Sequence, residues 1–217
     1  MKLSLTAMCR VIASILAVAG FLFAGDGGTK AASGPNASTV EITWPIMNHG
    51  RVTGMGVGSG VYIGNGLIVT ARHVVRDTTG TMMVTDQFGE RAVAATKWIS
   101  KTTDVAVIKL NSALPSLPAS ALDKRRPVKG EAIEVVGCPL GRPFVHTTGV
   151  VTSAPENPFS DWRDAIEISA KGLPGNSGGP VYDRDGKVLG IFVGATLDEN
   201  KRPIAYIMIS AREVAGV

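Results

Sequence analysis

The stretch "GVYIGNGLIVTA", residues 60–71, is two apolar runs joined by Asn65-Gly66. It restricts the fold more than any other feature of the chain. Asn and Gly tolerate positive φ, which a two-residue hairpin turn demands if it is to match the right-handed twist of its strands. The same pattern recurs along the chain. In "VEITW", Val40, Ile42 and Trp44 share one face while Glu41 and Thr43 point away, the period of a half-buried strand. "DVAVIKL" (104–110), "EAIEVVG" (131–137) and "IAYIMIS" (204–210) continue it, and "PVYDRDGKVLGIFVG" (180–194) predicts a second hairpin with Asp185-Gly186 in its turn. With 26 glycines and 12 prolines in 217 residues, the chain is punctuated too often for long helices. A short helix after Ser210 is the one helical element expected beyond the N-terminus.

One segment interrupts the strands. Between the strand groups, "NSALPSLPASALDKRRPVKG" holds Pro115, Pro118 and Pro127 and shows no alternation. Prolines remove ladder donors, so residues 113–129 are expected as a crossing linker. The expected class is all-β, with many short strands in two similar halves: two packed antiparallel barrels or one sandwich.

The N-terminus reads differently. Lys2 and Arg10 precede "VIASILAVAGFLFA" (11–24), an uncharged apolar run. It is shorter than the roughly 20 residues a spanning helix needs, and it suits an export signal, the alternative being an uncleaved anchor. Residues 1–33 are therefore expected as signal or anchor plus a Gly- and Ser-rich tether, with residues 34–217 as the working unit. Contact with a membrane is expected only if the segment stays uncleaved. Loss of Cys9 with the signal leaves Cys138 as the one cysteine and no internal disulfide, which points to the bacterial periplasm or secretion. Beyond residue 33 the chain carries 19 basic and 17 acidic side chains, a net of +2. That is too mild and too scattered for a nucleic-acid partner, and none is expected.

The chemistry is concentrated in "KGLPGNSGGPVYDRDG", residues 171–186, where glycines crowd around Ser177. A serine hydroxyl needs a nearby base, commonly a histidine held by a carboxylate. The only histidines are His49, His73 and His146, and all precede Ser177. Gly175-Asn176-Ser177-Gly178-Gly179 matches the G-x-S-x-G nucleophile elbow, but there the histidine follows the serine, so that reading fails. An acid-His-Ser order lacks both motif support and the alternating helices of its fold. The order His…Asp…Ser remains. "LIVTARHVV" places His73 just past a strand, and Asp104 stands at the mouth of the strand "VAVIKL". An acid there can leave water and accept a hydrogen bond from the imidazole. His49 and His146 are expected in loops or on exposed faces, and Cys138 as a small buried filler.

"GSGVYIGNGLIVTARHVV", "DVAVIKL" and "GNSGGPVYDRDGKVLGI" together resemble the signature blocks of chymotrypsin-fold (trypsin-like) serine proteases, most closely the HtrA/DegP-type bacterial branch. The resemblance spans roughly residues 40–213. It implies two packed antiparallel six-stranded β-barrels, about 40–112 and 130–217, and an exported serine endopeptidase acting on proteins or peptides without cofactor or metal. His73 would be general base, Asp104 its orienting acid and Ser177 the nucleophile, with the amides of Gly175 and Ser177 as oxyanion hole. Asn176 stands where classical trypsins carry an aspartate that pairs with a new N-terminus, which suggests activity without a zymogen cut. That branch also carries a PDZ domain after the protease, and none is expected before Val217. A trypsin-fold binding module with weak or no catalysis is the alternative. The S1 pocket should lie between residues 171–174 and the Phe192–Thr196 stretch, with Lys171, Val193, Gly194 and Ala195 as its residues. Lys171 at its floor would favour acidic P1 side chains; a solvated Lys171 would leave a small apolar preference.

Overall fold

The computed structural model describes residues 35–76, 78, 81–153 and 164–214; the expected signal segment, residues 1–33, lies outside them. After a 3-10 turn at Pro35–Ser38 come β1 (Thr39–Asn48), β2 (Arg51–Gly64), β3 (Leu67–Ala71), one helical turn α1 (Arg72–Arg76), β4 (Met82–Thr85), β5 (Arg91–Ile99) and β6 (Val105–Leu110). These six strands close in the order β1-β2-β3-β6-β5-β4. The second half holds β7 (Ala132–Gly137), β8 (Val145–Val150), β9 (Ala165–Ile168), β10 (Pro180–Tyr182), β11 (Val188–Leu197) and β12 (Pro203–Ser210). They form a six-stranded sheet in the order β8-β7-β10-β11-β12-β9.

All strand pairs are antiparallel, and the local patterns explain the elements. Asn65 and Gly66 have φ of 53° and 72°, so β2 turns tightly into β3 as their dipeptide requires. Val40 and Ile42 are fully buried with Trp44 packed against the same core. β6 is buried on both faces apart from Lys109, because the barrel interior lies on one side and the rest of the molecule on the other. Glu41 is half-buried even though it points out of the first barrel. On the second-half side, β1 lies against β7.

The first barrel closes completely, where β1 pairs with β4. The second closes more loosely: its edge strands meet at a single bridge, Val151 to Ile168. Gly149 allows this approach, since a Cβ there would collide with the backbone of Ala170. Between Leu110 and Ala132 the chain forms no strand, only one parallel bridge from Leu122 to Val188. This stretch is pinned to both halves, through Ser120 N–H to Tyr62 O (2.9 Å) and Asp123 N–H to Val188 O (2.8 Å). Arg125 clamps it further, donating to Asp123 Oδ2 at 2.7 Å and to Glu131 Oε2 at 2.9 Å. The expected C-terminal helix is a 3-10 turn, Ala211–Val214. One core cluster runs across both halves, joining Val40, Val69 and Val107 to Val136, Ile191 and Ile209.

Candidate active site

β3 delivers His73. Its last residue is Ala71, and α1 begins at Arg72, anchored by buried Val74 and Val75. The His73 N–H donates to Asp104 Oδ1 at 2.9 Å, and His73 Nδ1 lies 2.6 Å from Asp104 Oδ2. A carboxylate only accepts, so Nδ1 carries the proton and Nε2 is left as the acceptor. Asp104 is only 3% exposed. Burying a carboxylate is expensive unless it is paired, and here both oxygens are engaged, with Arg72 Nε a further 3.9 Å from Oδ1. Upstream, Ser100 Oγ accepts from the N–H of Thr103 (3.1 Å) and from Thr103 Oγ1 (2.9 Å). That turn holds Asp104 at the strand mouth.

The loop before β10 carries Ser177. Four successive amides there divide in alternation. Asn176 N–H donates to Leu173 O (3.0 Å) and Gly178 N–H to Phe192 O (2.7 Å). The Gly175 and Ser177 N–H groups have no acceptor among the described residues. Gly175 has φ of +103°, and a Cβ on it would strike Cys138 O; only glycine fits both the conformation and the space. Ser177 is half-buried. Its hydroxyl forms no hydrogen bond among the described residues, and none to His73. α1 and the Ser177 loop nevertheless converge on β2. A Cβ at Gly58 would lie 2.9 Å from the Val74 methyls and 3.4 Å from Ser177 O.

Ser59, which the sequence reading did not single out, ties this loop to the first barrel. Fully buried, it donates from Oγ to Gly175 O (2.7 Å) and accepts there from Cys138 N–H (2.9 Å). Its own N–H donates to Ser177 O (2.8 Å), and its carbonyl accepts from Thr70 Oγ1 (2.7 Å). The signal available was a serine between two glycines, Gly58-Ser59-Gly60, midway along an apolar run from Met55 to Ile63. Asn176 is buried with Oδ1 unpartnered.

The remaining candidates are dispersed. His49 sits at the exposed tip of the β1–β2 hairpin with φ of 47°, and His146 lies on exposed β8, 2.8 Å from Glu134 Oε1. Cys138 is fully buried, and burial pushes its thiol up to about 11, so it stays protonated beside the site. Of the S1 candidates, Lys171 is exposed, Gly194 and Ala195 are half-buried, and Val193 points into the core shared by the two halves. Phe192, the neighbour of Val193, instead turns its ring toward Gly172. Among the described residues no three His, Cys, Asp or Glu side chains are placed to hold a metal ion. No helix among them is long and apolar enough to cross a membrane.

The sequence profile of the trypsin-like peptidase domain matches residues 58–191, a span that runs from the Gly58-Ser59-Gly60 strand through His73, Asp104 and Ser177. The chain belongs to the trypsin-like peptidase family. This trypsin-like chain is 36% identical over 130 residues to a probable periplasmic serine endoprotease, DegP-like, of Chlamydia pneumoniae, covering 58% of this chain and 26% of the relative. It is 32% identical over 183 residues to a putative protease, Do-like 14, of Arabidopsis thaliana, covering 76% and 42%. It thus spans well under half the length of these two relatives. Its fold is similar to that of the serine endoprotease from Yersinia pestis, with a TM-score of 0.69 at 22% identity, covering 84% of this chain and 61% of that one. The two-barrel architecture expected of a trypsin-like fold is therefore present.

Proposed function

We propose that the chain is an exported serine endopeptidase that cleaves proteins or peptides through an acyl-enzyme, residues 34–217 forming the protease unit behind a signal or anchor in residues 1–33. The observation that carries this reading is the His73–Asp104 pair, set on the helical turn that meets the Ser177 loop over β2, where Asn176 and Gly178 commit their amides while Gly175 and Ser177 between them do not. Ser177 Oγ attacks the scissile carbonyl while His73 Nε2 takes its proton. Asp104 keeps the imidazole oriented and stabilises the imidazolium. The carbonyl oxygen becomes an oxyanion and receives the Gly175 and Ser177 N–H groups; elsewhere, removing one such donor costs about 3–4 kcal/mol of transition-state stabilisation. His73 then protonates the leaving amine, and water repeats the sequence on the acyl-enzyme. The relatives named as periplasmic support export to that compartment.

The test is to treat the purified full chain and its Ser177→Ala variant with a fluorophosphonate and to follow casein cleavage. The parent should be labelled and proteolytic. The variant should be neither, since loss of a triad nucleophile costs about a millionfold in kcat. Labelling that survives the substitution would remove Ser177 from its role, and a labelled parent that never cuts casein or peptides would favour the binding-module alternative.

A further inference from the structure

The catalytic chemistry makes no use of the Phe192 ring, yet that ring lies against the loop that carries the nucleophile. Phe192 is locked to it by two backbone bonds, its N–H donating to Gly179 O (2.8 Å) and its carbonyl accepting from Gly178 N–H (2.7 Å). Just beyond it the pairing with β12 slips, Phe192 facing Met208 and Gly194 facing Ile207, so Val193 is the extra residue. A bulge re-aims the side chains around it. Val193 enters the core between the two halves, whereas Phe192 enters the core of the second half. The Phe192 side chain is 2% exposed. Its ring stands 6.4 Å from that of Tyr206 at a 34° tilt, within the range of favourable aromatic pairs.

The far end of the ring decides the inference. Phe192 Cζ and both Cε atoms occupy the place where a side chain on Gly172 would begin. Gly172 precedes Ser177 by five positions in the same loop. The loop that carries Ser177 and strand β11, the expected borders of the S1 subsite, are therefore joined by an aromatic ring. Lys171 is exposed, one residue outside that contact.

We propose that Phe192 plugs the S1 subsite and restricts cleavage to P1 side chains of about alanine's size. The proposal rests on the serine-protease reading. A larger P1 group must displace a ring packed on two sides, and well-packed interiors resist added volume. An acidic P1 drawn in by Lys171 is the competing outcome.

The test uses peptidyl diphenyl phosphonates differing only at P1 (Ala, Leu, Phe or Glu analogues), with covalent adducts on the full chain read by intact mass. A fluorophosphonate without a P1 side chain serves as control. The parent should react with the Ala probe at least about tenfold faster than with the others, since a methylene or more in such a pocket is worth about 10–200-fold. Phe192→Ala should raise the Leu-to-Ala rate ratio about tenfold or more, and Phe192→Leu, the gentler change, should move it in the same direction. A parent that takes Leu, Phe or Glu probes as fast as Ala overturns the proposal. So does a Phe192 variant that accepts the fluorophosphonate yet keeps the parent's ratios. If neither variant accepts the control, the parent's own profile decides. Failure of the fluorophosphonate to label the parent would instead sink the serine-protease reading, so the two failures are separable.

Discussion

At the scale of single residues, the reactive geometry depends on groups that do no chemistry. Ser59 is the clearest case: one hydroxyl satisfies both Gly175 O and Cys138 N–H, 116 and 79 residues away. Ser59→Ala would leave a buried acceptor and a buried donor unmatched, at a cost of about 1–3 kcal/mol each. The expected result is a kcat for peptide hydrolysis lower by about tenfold or more, with KM little changed, because the Gly175 peptide loses its anchor while β11, at the expected S1 subsite, makes no bond to Ser59. A variant with parental kcat would remove Ser59 from that role. Glu41 supports a pH prediction. Burial raises its carboxyl above the ordinary glutamate value, opposed in part by the charge of Arg91. The folded state therefore holds this proton more tightly than the unfolded chain, so stability from this group is fully present below the unfolded value and is lost as pH rises through the folded one. Glu41→Gln carries no such loss. Its melting temperature should exceed the parent's by about 1–3 °C at pH 7.5 and match it near pH 4; an equal offset at both pH values would show that the charge is not the cause.

At the scale of elements, the hairpins follow from local chemistry. Asn65 and Gly66 turn β2 into β3 with positive φ at both positions, and β3 must end in register for α1 to present His73. Gly66→Ala puts a β-carbon at φ of +72°, which costs about 1–2 kcal/mol. Urea unfolding should show that loss as a lower midpoint with an unchanged slope, and fluorophosphonate labelling should persist in the folded protein. Four strands, β4, β5, β8 and β9, had no comparable signal. In β5, "RAVAATKWI", the burial alternation fades after Ala94, and β9 is only four residues long. Their places come from pairing with neighbours. α1 was equally hidden, since five residues are too few for a helical period to show.

At the scale of the whole molecule, the two halves share one apolar core, and the linker is bonded to both. Unfolding should then be a single transition, with tryptophan fluorescence and far-UV circular dichroism giving the same urea midpoint. Trp44 and Trp98 pack against that core in the first barrel, so with Trp162→Phe fluorescence reports that barrel whereas ellipticity samples both halves, and separate midpoints would show independent halves. The sequence by itself determined the all-β class, the hairpin turns and the order His73, Asp104, Ser177, because turn chemistry and strand period are local and the order of residues survives folding. Only the tertiary structure decided that Gly175 and Ser177 keep free amides, that Ser59 holds their loop, and that the Phe192 ring sits against Gly172. Each of these depends on which distant partner accepts a hydrogen bond or fills a space, and no local pattern in the chain encodes that.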